Sequence, residues 1–196
     1  GDLAQTVELL NENGLDALRD EDVAAAHNAF GAALSLDGSN PDASLMRALT
    51  TIGTFFETPT APVQDILGSF QVTYTNDVFF DQFDASGLAP GRVVPAGATP
   101  SNDAVDTVVS ELDAQLLDVQ ELLANVQSAD PNWQFELTPG LLPANIAEWT
   151  SLIGGEDAYF LGAGIDVVRA LLHYAGGYDW AIDYDSVNGA GQFTRD

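Results

Sequence analysis

The run Asp22-Val-Ala-Ala-Ala-His-Asn-Ala-Phe30-Gly-Ala-Ala-Leu-Ser-Leu36 decides the fold. Val23, Ala26, Phe30, Ala33 and Leu34 fall at i, i+3, i+7, i+10 and i+11, the spacing of one face of an α-helix. Asp20 or Asp22 can cap its start. Asp37-Gly38-Ser39-Asn40-Pro41 stops it with strong breakers. Upstream, Leu3, Val7, Leu10 and Leu15 predict a first helix over 3–17. It is joined by the charged turn Leu18-Arg19-Asp20-Glu21-Asp22. Downstream, Pro41-Asp42 opens a third helix over 42–56, with Leu45, Leu49 and Ile52 inward.

These residues resemble a tetratricopeptide repeat. In that family a small residue opens the second helix and an aromatic follows four residues later. An Ala-Leu-x-Leu-Asp ending closes the unit. Ala26, Phe30, Ala33, Leu34, Leu36 and Asp37 take those places, and Gly14 matches the glycine of the first helix. Gly38 stands where the family usually has proline. Small residues let two helices approach closely while the aromatic fills the groove between them. The resemblance covers about residues 7–55. A second full repeat fails, because its closing helix would run through Pro59 and Pro62.

Residues 57–100 read as an irregular segment punctuated by Pro59, Pro62, Pro90, Pro95 and Pro100, with a short helix at 62–69. Phe70, Tyr74, Phe79, Phe80 and Phe83 are expected to pin it to the core. A long helix over 102–128 follows, capped by Ser101 or Asn102. Its stripe is Val105, Val108, Val109, Leu112, Leu116, Val119, Leu123 and Val126. Asp118 and Glu121 sit towards its negative end, where a carboxylate prefers a cation nearby. A strand at 133–137 is expected to enter a small β-hairpin. A last helix over 157–175 should turn Phe160, Leu161, Ile165, Val168, Leu171 and Leu172 inward. Gly162 and Gly164 should allow close packing, and Gly176-Gly177 end the helix. The expected fold is mainly α and a single domain over 1–196. Residues 1–56 form the repeat-like helices, 57–100 the irregular segment, and 101–196 two long helices with their loops.

Charge sets the environment. The 196 residues hold 30 acids against 5 arginines, a formal net charge of −25. About 25 carboxylates must therefore face water or cations. Such self-repulsion is tolerated best in high salt or with bound divalent ions, as on a halophilic surface. Lysine and cysteine are absent. That excludes disulfide staples, cysteine–zinc sites and both thiol and lysine catalysis. No basic surface exists for phosphate, so nucleic acid is not an expected partner. No apolar run approaches the length of a membrane-spanning helix.

Sites are few. His27 and His173 are isolated and read best as structural, hydrogen-bonded histidines. There is no Gly-x-Ser-x-Gly elbow. Gly162-Ala163-Gly164 lies inside a helix rather than after a strand, so dinucleotide binding is not supported. Asp183 and Asp185 have the spacing of the first two ligands of an EF-hand. Val187 stands at the third position and no closing Glu follows, so that assignment fails. A looser calcium site built from Asp179, Asp183 and Asp185 competes with a solvated acidic turn.

Residues 155–185 resemble the end of uncharacterised tetratricopeptide-like lipoproteins of bacterial envelopes, through Ala175-Gly176-Gly177-Tyr178-Asp179. That resemblance implies an exported protein and carries no catalytic residues. The opening Gly1-Asp2, without an initiator methionine, fits removal of a leader. The expected function is a non-enzymatic, exported structural or interaction protein, periplasmic, extracellular or on the cell surface. Its expected partner is a protein or a second copy, helped by cations or high salt, and no cofactor is required. A calcium-binding acidic protein and a small hydrolase using paired carboxylates are the alternatives.

Overall fold

Helices α1 (Leu3–Arg19) and α2 (Val23–Leu36) pack antiparallel across a three-residue turn. The turn reverses at Glu21, whose φ of 62° is left-handed. The Asp22 N–H donates to the Ala17 carbonyl at 2.8 Å, and the Glu21 N–H donates to that of Leu18 at 3.0 Å. This doubly bonded ending usually carries glycine. The Asp22 carboxylate then accepts from the Ala25 N–H at 2.8 Å and caps α2, one of the two caps expected. A computed structural model describes residues 2–57, 61, 64, 102–139, 141 and 150–177. Apart from Gln64, the short helix at 62–69 lies outside them, as do the aromatics Phe70 to Phe83.

Helix α3 (Pro41–Glu57) starts where the Asn40 side chain accepts from the Ala43 N–H at 2.8 Å. Asn11 of α1 donates to the same oxygen at 3.1 Å, so one asparagine ties the first three helices. Ala43, Ser44, Leu45, Met46, Ala48 and Thr50 are all buried on α3, since α2 covers one side and α4 (Asn102–Gln127) another. Asn125, near the end of α4, donates to the Gly38 carbonyl just before α3 at 3.3 Å. Leu112 and Leu116 meet Ile52 and Phe55 at the other end, so α4 runs antiparallel to α3.

Strands β1 (Gln134–Leu137) and β2 (Ser151–Gly154) form an antiparallel pair, with Phe135 opposite Ile153. Phe135 and Leu137 are buried while Gln134 and Glu136 are exposed, the period-two pattern of a half-covered ribbon. The Trp133 indole N–H donates to Asp42 at 2.7 Å and pins the ribbon to the first turn of α3. Helix α5 (Gly155–Gly176) follows β2 directly, and Asp157 accepts from the Gly154 N–H at 2.8 Å. Gln127 reaches the Ala158 carbonyl at 3.2 Å, while Val109 lies beside Gly176, so α5 runs antiparallel to α4.

The described residues are therefore mainly α: five helices packed in chain order, each against the next, with one small antiparallel sheet. One core runs through them, from Leu18, Val23, Ala26 and Phe30 to Leu45 and Met46. It continues through Val119, Leu123 and Val126 to Phe135, Leu137 and Ala158.

One expectation is corrected. Phe160 is 81% exposed and Leu171 61%, and Leu161 and Val168 are also exposed. Of the side chains described on α5, Ala158 alone is buried, with Ile165 packed against the core. Asp166, Arg169 and His173 share one side of α5, and that polar side meets Asp113 and Gln120 of α4, so ion pairing overrides the hydrophobic periodicity. Gly162 does lie against α4, where a β-carbon would meet Gln127 at 3.5 Å. Gly164 has nothing within 4 Å of that position among the described residues.

Candidate functional site

Between α2, α3 and α4 runs a polar groove of about 560 Å³. Its centre is Arg47. The guanidinium lies across Gly31, where a β-carbon would stand 2.7 Å from Nη1. Arg47 Nη1 donates to the His27 carbonyl. His27 Nδ1 is 3.2 Å from Thr50 Oγ1, and that hydroxyl itself donates to the Met46 carbonyl at 2.9 Å. When the hydroxyl's one proton goes to Met46, the Nδ1–H tautomer of His27 donates to Thr50. Burial, then the Arg47 charge, push His27 down to about 4. It is a neutral, structural imidazole at ordinary pH.

Asp118 and Glu121 of α4 line the same groove. Burial pulls the Arg47 guanidinium below its ordinary value, and the Asp118 charge opposes that shift. The carboxylates expected to prefer a cation thus share a groove with one supplied by α3. Gln115 Oε1 is buried there with no hydrogen-bond partner among the described residues. The groove holds opposed charges and amides. The hydroxyls of Ser35, Thr51 and Thr54 line it, and each donates to a backbone carbonyl of its own helix.

A second cluster joins α4 to α5. Arg169 Nε donates to Asp113 Oδ1 at 2.7 Å and Nη2 to Oδ2 at 3.3 Å, a two-pronged pair. Arg169 Nη1 also donates to Gln120 Oε1 at 2.7 Å, and Gln120 Nε2 donates to Asp166 Oδ1 at 2.5 Å. His173 Nε2 lies 3.3 Å from Asp113 Oδ1. The hydrogen bond from Arg169 holds the Asp113 carboxyl below the usual carboxylate range, and Asp113 in turn raises Arg169. The network is an interhelical fastener made of complementary charges.

The largest unusual feature is the outer face of α5. Phe160, Val167 and Leu171 form a stripe at helical spacing, with Ala163, Gly164 and Ala170 exposed between them. Leu152, Tyr159 and Tyr174 are exposed beside it. Phe160, Val167, Leu171 and Tyr174 are each at least 60% exposed on that face and together present on the order of 500 Å². A monomer ordinarily shows patches of a few hundred.

The calcium candidates Asp179, Asp183 and Asp185 lie outside the described residues, as does most of the resembling tail. Among the described residues no group of three metal-ligating side chains occurs. No described helix is long and apolar enough to cross a membrane. Sequence reading missed two features. Arg47 as the centre of a groove left only a faint signal, a lone cation on an apolar helix. The bare face of α5 had a clearer one: between Asp157 and Asp166 the helix carries no charge at all. No known protein family, no curated protein sequence and no solved structure matches this chain.

Proposed function

We propose that this protein is a non-enzymatic, exported structural or interaction protein that self-associates through the outer face of α5. The observation that carries the reading is the exposure of Phe160, Val167 and Leu171 on a helix whose opposite side is fastened to α4. An apolar patch of that size is an association surface or an aggregation hazard, and a chain with a net charge of −25 resists indiscriminate aggregation. The charge also selects the setting. Two copies repel at low ionic strength and approach in saline surroundings, where the Debye length is short. The close α1–α2 contact at Gly14 and Phe30 supports kinship of purpose with helical-repeat scaffolds, which present surface rather than perform chemistry.

Light scattering in 2 M NaCl across a range of protein concentrations tests this. The expected result is a mass above 20.7 kDa that falls on dilution. A Phe160→Asp variant should remain at the monomer mass. A wild-type protein that stays monomeric at every concentration and salt level overturns the reading.

A further inference from the structure

We propose that the groove around Arg47 and an apolar recess beside it form one binding site for a free α-amino acid with a branched aliphatic side chain. The ligand carboxylate meets Arg47, its ammonium meets Asp118 and Glu121, and its side chain enters the recess. Arg47 is an under-used cation. Its Nη1 donates to the His27 carbonyl, and among the described residues no carboxylate forms an ion pair with it. Asp118 is close enough for its charge to be felt at the guanidinium, yet the two do not touch. A space therefore separates opposite charges. Gln115, Asp118, Glu121 and Asn125 line one wall from a single face of α4, and Arg47, Thr51 and Thr54 line the other from α3.

Thr51 and Gln115 also border a second recess, of about 230 Å³, between α3, α4 and α5. Ile52, Phe55, Leu112, Leu116, Ile165 and Val168 make most of its described wall, and the surface it presents is apolar. An apolar cavity of about 150 Å³ already takes a benzene molecule, so this one takes a branched aliphatic chain. The two cavities share a neck. Arg47, Thr51 and Phe55 follow one another by turns along α3. Asp118, Gln115 and Leu112 follow in the same direction on antiparallel α4. Each step advances about 4.5–6 Å, roughly the reach from the head of an amino acid to the tip of its side chain.

Charge selects the ligand. One guanidinium faces two carboxylates on a chain of net charge −25, so a simple anion is repelled. A metal ion lacks its ligands, since no group of three ligating side chains occurs among the described residues. A zwitterion answers both signs. It must also carry N–H donors, because Gln115 Oε1 at the neck is a buried acceptor with no partner among the described residues, a costly state. A primary ammonium supplies such donors and a quaternary one cannot. Leucine and isoleucine join that head group to an apolar chain of the right size.

Calorimetric titration of the full chain in 2 M NaCl with leucine, N-acetylleucine, leucinamide and glycine betaine tests the site. Leucine should bind saturably. N-acetylleucine lacks the ammonium, leucinamide the carboxylate, and betaine both the N–H donors and the side chain, so each should bind at least tenfold more weakly. Asp118→Asn should weaken leucine at least tenfold with an unchanged melt of the free protein, since Asp118 is exposed. Val168→Phe, which fills the recess from a partly exposed position, should weaken leucine at least fivefold without weakening alanine. Absence of saturable leucine heat up to 10 mM overturns the site. Equal affinity for leucinamide would reduce it to attraction of amines by an acidic surface. Equal affinity for N-acetylleucine would reduce it to a carboxylate contact at Arg47, and either result overturns the zwitterion site. Leucine binding indifferent to both substitutions would place the ligand elsewhere and overturn it too. None of these outcomes bears on self-association through α5.

Discussion

The ring of Phe30 occupies the space that a β-carbon on Gly14 would need: three ring atoms lie within 2.6–2.9 Å of that position. The ring is 1% exposed and belongs to the main core, so it has no room to retreat. Gly14→Ala should therefore destabilise the fold by about 2 kcal/mol, despite alanine's better helix propensity, because overpacking dominates. Gly164→Ala is the control. Nothing described stands near its β-carbon, so the monomer should gain up to about 1 kcal/mol. Urea unfolding of the two variants at dimer-free concentration checks the opposite signs.

His27 makes stability depend on pH in a defined window. Its folded value, about 4, lies below the ordinary 6.5, so the unfolded chain binds the proton more readily. The contribution is fully present above pH 6.5 and is lost progressively as pH falls towards 4. After allowing for screening at a half-buried site, the loss is on the order of 1–2 kcal/mol. His27→Gln should flatten the pH dependence of urea stability between pH 6.5 and 4 relative to the unsubstituted protein. Equal slopes would contradict the assignment.

Asp113 works in the opposite sense. Its folded value is lowered, so its contribution is present above the ordinary 3.8 and disappears as pH falls below that towards the folded value. Asp113→Asn should lower the melting temperature at pH 7 by removing the carboxylate charge that pairs with Arg169. The difference from the unsubstituted protein should close in strong acid. Melting curves from pH 7 to pH 2.5 measure it.

Removal of salt should lower the melting temperature by roughly 5 °C, since surplus carboxylates then repel over a longer range. Chelator added in high salt separates screening from ion binding. If Asp179, Asp183 and Asp185 hold calcium, chelator lowers the melting temperature even at 2 M NaCl, and calorimetry shows calcium heat that D183N removes. Without a specific site, only the salt concentration matters.

Much of the helical plan was legible because it rests on local rules. The α2 stripe, the Asp22 cap and the breakers from Asp37 to Pro41 act within a few residues of each other. They place α2 and α3 within a residue or two of their observed limits. Gly14 and Phe30 were legible through their pattern. The β-ribbon was half visible: a strand at 133–137 was expected, while β2 pairs with it across the intervening residues 138–150.

The candidate surfaces divide along the same line. By itself the sequence determined the number and order of the main helices, the burial of the α2 face and the need of Asp118 and Glu121 for a nearby cation. Each follows from periodicity, capping chemistry or charge balance, which neighbouring residues settle among themselves. Only the tertiary structure decided that Arg47 would lie over Gly31 in the groove with Asp118, and that Arg169 would clasp Asp113. It also decided which side of α5 stays bare. Asp166, Arg169 and His173 share one side of α5, and it is their pairing with α4, some fifty residues away in the chain, that turns this polar side inward and leaves the apolar side out.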